Sequence, residues 1–174
     1  MKYTIALIDV DDTLLDFGKS ERAALQTALT AFGAPFDDSV AALYHDINDG
    51  LWKRLERGEL TRAQLWEMRF EELFRALGRP VPDGVNERYM ASLAEQAFPM
   101  DGAREMLERA AGLADLYIVS NGVGAVQRNR LKLTGLDIYF KDAFLSQELG
   151  AQKPSPAFFD GVFRALGPVD RRKI

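Results

Sequence analysis

The sequence predicts an α/β fold: a Rossmann-like parallel sheet core carrying an inserted four-helix cap. Three observations lead there. Short apolar runs at 3–8 and 116–119 stop abruptly at polar residues, as strands buried on both faces do. Helical spacing fills almost everything from about Ser20 to Phe98, with no strand pattern in between. After Pro99 strand and helix patterns alternate again, which calls for parallel pairing through right-handed crossovers. The expected domains are a core of residues 1–16 and 100–174, and a helical cap of residues 17–99.

The first run, YTIALI at 3–8, is rich in β-formers and ends at Asp9-Val10-Asp11-Asp12-Thr13. Ser20 can cap a helix that runs to Phe32 and stops at Gly33. A second helix is expected from about Asp38 to Arg57, with Leu43, Ile47, Leu51 and Leu55 spaced four apart and Gly58 as its stop. Thr61 and Gln64 form a capping box for a third, which carries Leu65, Phe70, Leu73, Phe74 and Leu77 before Gly78. Pro80 and Pro82 make the next turn, and a fourth helix covers about 84–97. Trp52, Trp66 and Phe70 are expected in the cap interior rather than on a ligand, because aromatics dominate cores. Asp101 can cap a helix through Gly112. LYIV at 116–119 is the second strand, and Asn121 or Gly122 starts a helix with Val126, Arg130 and Leu133, which Gly135 stops. Residues 143–145 fit a short third strand. Ser155-Pro156 starts a last helix with an apolar face of Phe158, Phe159, Val162, Phe163 and Leu166.

Composition narrows the chemistry. The 174 residues include 22 Lys+Arg and 26 Asp+Glu, for a net charge of −4, and 47% are apolar. Such a chain can bury a core, and its acidic balance argues against binding a nucleic-acid polymer. With no cysteine, disulfides, thiolate metal sites and cysteine nucleophiles are excluded. His45 is the single histidine, so poly-histidine zinc sites are excluded as well; it is expected on a helix, without a functional role. No apolar run reaches the ~20 residues of a membrane span, and Met1-Lys2-Tyr3-Thr4 lacks the charged region and cleavage site of a leader. A cytoplasmic location is the expectation. Carboxylates, hydroxyls, lysines or a bound metal are left to do chemistry.

In open parallel sheets ligands bind beyond the carboxyl ends of the strands. The first strand delivers Asp9 and Asp11 to that edge, the second delivers Ser120, and the loop around Lys153 should reach it too. Asp9 and Asp11 are two apart, so an extended segment projects them to one side, where paired carboxylates call for a proton or a cation such as Mg²⁺. A carboxylate can attack phosphorus, and a second carboxyl can protonate the departing oxygen. Thr13 and Ser120 offer hydroxyl donors, Lys153 a positive charge, and the helix starts after Ser120 and Ser155 backbone donors for an anion. Taken singly, D-x-D is also a turn or cap sequence, Ser-Asn-Gly an ordinary turn, and Lys153 a solvated lysine. Their order, each at a strand end or in an edge loop, is what joins them. Alternation points Asp12 away, to a structural part.

Asp9-Val10-Asp11-Asp12-Thr13-Leu14, the Ser120-Asn121-Gly122 turn and Gln152-Lys153-Pro154 resemble the first three motifs of the haloacid dehalogenase-like hydrolases, and the helical insertion resembles their cap. The resemblance implies Asp9 as nucleophile, Asp11 as general acid/base, Ser120 and Lys153 with Thr13 and Asn121 around the phosphoryl group, and Mg²⁺ held by Asp9 and the backbone carbonyl of Asp11. Dehalogenases of the family lack the second aspartate, so Asp11 favours phosphate-ester chemistry. Leu51-Trp52 through Glu59-Leu60-Thr61 to Arg69-Phe70-Glu71, together with Gln127, Arg130-Leu131 and Thr134-Gly135-Leu136, are similar to the pyrimidine 5′-nucleotidases. The expected substrate is accordingly a small phosphorylated metabolite, a nucleoside monophosphate first, handled by a monomer or homodimer with no membrane partner. Phosphoglycolate and sugar phosphate phosphatases or phosphomutases of the same family are the alternative. A receiver-type signalling module and an inactive scaffold are the readings from other classes.

One departure stands out. The family's fourth motif, with acidic metal ligands after a further strand, is absent from 1–174, and no Asp or Glu follows Asp170. The expectations are weak or no activity for residues 1–174 alone, and an exposed sheet edge open to self-association. Hinges are expected near Phe17-Gly18-Lys19 and Phe98-Pro99-Met100, with a cap that closes over the site.

Overall fold

A computed structural model of the chain describes residues 3–174, so the first two residues of the expected core segment lie outside the described residues. The chain divides into two compact units: one runs up to Phe17 and resumes at Ala97, and the other is Gly18–Gln96.

The first unit is built on a parallel sheet of three strands in the order β1 (Ile5–Ile8), β2 (Asp115–Ser120) and β3 (Phe140–Leu145). Ile8 pairs with Ile118 and Ser120 with Leu145, which brings the carboxyl ends of all three strands to one edge. Alternation along β2 splits the core in two. Leu116 and Ile118 pack with Val10, Leu14, Leu107, Leu131 and Leu145 on one face. Val119 packs with Phe144, Phe158 and Val162 on the other, where the Tyr117 and Phe144 rings stack 5.6 Å apart. The helices supplying these side chains are α5 (Ala103–Ala111) and α6 (Gly124–Thr134) on the first face and α8 (Pro156–Leu166) on the second. A sheet covered on both faces explains why its strands read as continuous apolar runs.

The second unit holds α1 (Phe17–Ala31, whose first residue belongs to the sheet unit), α2 (Asp38–Glu56), α3 (Arg62–Ala76) and α4 (Val85–Ala94). Leu51, Leu55 and Leu65 form one cluster, with Trp52 and Trp66 packed against it. Tyr44, Phe70 and Tyr89 form an aromatic trio with centroids 5.4–5.6 Å apart. The three aromatics expected in the interior are therefore all packing residues. Thr61 and Gln64 form the expected capping box. His45 is exposed, and its Nδ1 lies 2.7 Å from Glu21 Oε2. No helix among the described residues is long and apolar enough to cross a membrane.

Several boundaries differ from the sequence reading. Ser20 does not cap: it is buried inside α1, and the first N–H of that helix, Phe17 N, donates instead to Asp12 Oδ1 at 3.0 Å. Asp101 does not cap α5, which starts after Gly102 at φ +77. The helix expected from Asn121 or Gly122 begins at Gly124, because residues 121–123 form the turn that carries site residues. Asp37, outside the expected span, caps α2 by accepting from Val40 N. The third strand is twice the expected length, and a one-turn helix, α7 (Ser146–Leu149), follows it.

Candidate active site

β1 hands the chain to a tight turn. Leu14 N and Leu15 N donate to Val10 O, and Asp12 adopts φ +55, which lets its side chain reach Phe17 N. Aspartate tolerates this left-handed geometry better than most side chains do. Asp12 is thus structural, as alternation predicts. The turn leaves Asp9 and Asp11 at the carboxyl edge of the sheet. Asp9 Oδ1 accepts from Val10 N at 2.8 Å and lies 2.7 Å from Lys153 Nζ. No bond to Asp9 Oδ2 is made among the described residues, so that oxygen is available.

Lys153 is placed by β2 and the turn after it. Its ammonium also donates to Val119 O at 3.0 Å. Asn121 grips the Lys153 backbone at two points: Lys153 N donates to Asn121 Oδ1 at 2.8 Å, and Asn121 Nδ2 donates to Lys153 O at 3.0 Å. The Asn121 side chain thus holds the loop that carries Lys153. Ser120 Oγ is buried and accepts from Gly122 N at 3.0 Å and Gln127 Nε2 at 2.9 Å. With both acceptor positions used, its proton remains to be donated. Thr13 is exposed, and the contacts joining the other residues do not include it.

Asp11 has partners that the sequence did not assign to it. Its Oδ1 meets Arg130 at 2.6 Å and its Oδ2 accepts from Gln127 Nε2 at 2.6 Å. Arg130, 1% exposed, also donates to Gln127 Oε1 at 2.9 Å. Burial pushes the Asp11 carboxyl above its ordinary range; Arg130 and Gln127 pull it down, and the charge of Asp9 adds to the push. A signal for this pairing was present in the sequence. Arg130 sits on the same helical stripe as Val126, and a cation on an apolar stripe requires a buried acceptor.

The edge therefore gathers a carboxylate beside an ammonium, a second carboxyl held by a guanidinium and an amide, and a buried hydroxyl. Among the described residues no group of three or more His, Cys, Asp or Glu gathers around a common point. The Asp9 carboxylate and the Asp11 carbonyl are hard oxygen donors of the kind Mg²⁺ takes, and this ion commonly binds one or two carboxylates and fills its other positions with water and phosphate oxygens. In kind, the donor set fits Mg²⁺.

The haloacid dehalogenase-like hydrolase family matches residues 3–174. The chain belongs to that family. It is 37% identical over 167 residues to the HAD-hydrolase YfnB of Bacillus subtilis, covering 95% of this chain and 71% of that protein. The crystal structure of YfnB, solved with magnesium bound and showing interdomain movement, superposes with a TM-score of 0.91 at 35% identity, covering 98% of this chain and 75% of that one. The pyrimidine 5′-nucleotidase PynA of Streptococcus pneumoniae is 34% identical, with 99% of this chain and 74% of that protein covered. The pyrimidine 5′-nucleotidase YjjG of Escherichia coli is 32% identical, with 100% and 76% covered. The family and fold expected from the three motifs are those found, and the chain is a hydrolase. Phosphatase is the class of hydrolase that these relatives support for it.

Proposed function

We propose that the chain is a Mg²⁺-dependent phosphomonoesterase acting through an aspartyl phosphate on Asp9, with a pyrimidine nucleoside 5′-monophosphate as its substrate. One observation carries the reading: the Asp9 carboxylate, with one oxygen free, lies 2.7 Å from the Lys153 ammonium at the sheet edge that also receives Asp11 and Ser120. The nucleotidase names of two relatives and the magnesium in the YfnB crystal support the substrate and the ion.

Asp9 attacks phosphorus, the bond to the ester oxygen breaks, and Asp11 gives that oxygen its proton. Water then attacks phosphorus, Asp11 takes the water's proton, and inorganic phosphate leaves with Asp9 restored. Lys153 and the Ser120 proton meet the phosphoryl oxygens as charge builds on them. Mg²⁺, when held by the Asp9 carboxylate and the Asp11 carbonyl, supplies further charge neutralisation at the phosphoryl group. Thr13, exposed on the same turn, is the remaining candidate donor to that group.

The test is a panel of phosphomonoesters assayed with the full-length protein in Mg²⁺ and in EDTA. The expected result is Mg²⁺-dependent phosphate release, fastest with uridine, thymidine or cytidine monophosphate. Faster turnover of phosphoglycolate or a sugar phosphate would move the assignment to the alternative within the family.

A further inference from the structure

Gln127 and Arg130 lie outside the steps above, yet both are buried and both reach Asp11. We infer that they are positioning residues: Gln127, locked by Arg130, sets the direction of the Asp11 carboxyl and ties it to the Ser120 hydroxyl. This rests on the reading of Asp11 as the proton donor.

The geometry is directional. A glutamine amide can present either its oxygen or its NH₂ to a neighbour. Here Arg130 donates to Gln127 Oε1 at 2.9 Å, which fixes the amide the other way round toward the site. The NH₂ then serves two acceptors, Asp11 Oδ2 at 2.6 Å and Ser120 Oγ at 2.9 Å. Arg130 takes the other Asp11 oxygen at 2.6 Å. Both oxygens of one carboxyl are therefore held from a single helix, at positions three apart on one face. Residue 122 leaves room for this arrangement: a Cβ on Gly122 would collide with the Gln127 amide. The general acid and the phosphate-binding hydroxyl consequently share one bracket, and a slip of Gln127 displaces both.

Two substrates separate positioning from bulk structure. A nucleoside monophosphate expels an alkoxide that needs a proton, whereas p-nitrophenyl phosphate expels a stable phenolate that does not. In the full-length enzyme with Mg²⁺, Q127L should lower kcat/KM for the nucleotide by about 10²-fold, at the low end of what general acid catalysis supplies, and far less for p-nitrophenyl phosphate. Any loss through Ser120 affects both substrates, so the ratio isolates Asp11. G122A should reproduce that ratio by pushing the amide aside, and it carries the test if Q127L fails to fold. D11N is the control. If D11N shows the selectivity while Q127L and G122A lower both substrates equally, or neither, the positioning inference is overturned. If D11N itself lowers both equally, it is the reading of Asp11 as proton donor that fails.

Discussion

Both units bury polar side chains, and they treat them differently. In the sheet unit, both Asp11 oxygens, both Ser120 acceptor positions and the Gln127 amide have partners within 3.0 Å. In the helical unit, Tyr44 Oη, Asn48 Oδ1, Tyr89 Oη and Ser92 Oγ are buried and make no hydrogen bond among the described residues. The same interior has Glu21 bonded to His45 and Asn48, and Arg69 lying 4.6 Å over the Tyr89 ring. Burial pushes the Tyr44 phenol up to about 12. A satisfied network rigidifies its members in one arrangement, whereas an orphaned polar atom carries a desolvation cost with no return. The first pattern lies in the unit that carries the proposed site, and the second in the helical unit.

The largest effect that probes this contrast is on catalysis. Lys153→Ala removes the cation beside Asp9 and should lower kcat by about 10²–10³-fold, as loss of a preorganised electrostatic group does. Steady-state kinetics with an unchanged circular dichroism spectrum would check it. Arg130→Met should cost about 3 kcal/mol in denaturant unfolding, because it strands the Asp11 carboxyl without its charge partner. Combining it with Asp11→Asn should recover part of that loss. Purely additive losses would show that the two residues do not act as a pair.

How far the sequence led differs along the same divide. Asp9 and Ser120 were legible because each follows an apolar run that ends abruptly, and Lys153 because it lies in the edge loop before the Ser155-Pro156 helix start; parallel topology then sends all three to one edge. Arg130 was legible only as one position on a helical stripe; that its partner is Asp11, 119 residues away, is a tertiary fact. Asn121 shows the same limit: its residue type fits anion binding, and only the folded loop reveals that it holds Lys153. In the helical unit periodicity located every helix. It gave no sign of orphaned hydroxyls, since Tyr44 and Tyr89 occupy apolar positions and read as core.

Smaller effects sharpen the helical side. Tyr89→Phe removes a buried hydroxyl that makes no hydrogen bond among the described residues and should leave stability unchanged or raise it by up to about 1 kcal/mol; a clear drop in Tm would reveal a partner for that hydroxyl. The smallest effect concerns His45. Glu21, by hydrogen bond and by charge, raises the His45 pKa above 6.5. The folded state therefore binds this proton more tightly than the unfolded one. The stabilisation is complete below pH 6.5 and lost as pH rises through the folded-state pKa. The Tm difference between the natural protein and His45→Gln should shrink from pH 6 to pH 8; a constant difference would contradict it.

The covalent step at Asp9 is tested most directly by trapping it. The full-length Asp11→Asn variant, mixed with ³²P-labelled p-nitrophenyl phosphate, whose leaving group needs no proton, and Mg²⁺ and quenched in acid, should carry label on the peptide containing Asp9, and the label should vanish in the Asp9→Asn, Asp11→Asn double variant. Label on another peptide, or phosphate release that persists in Asp9→Asn with no labelled protein, would contradict the account.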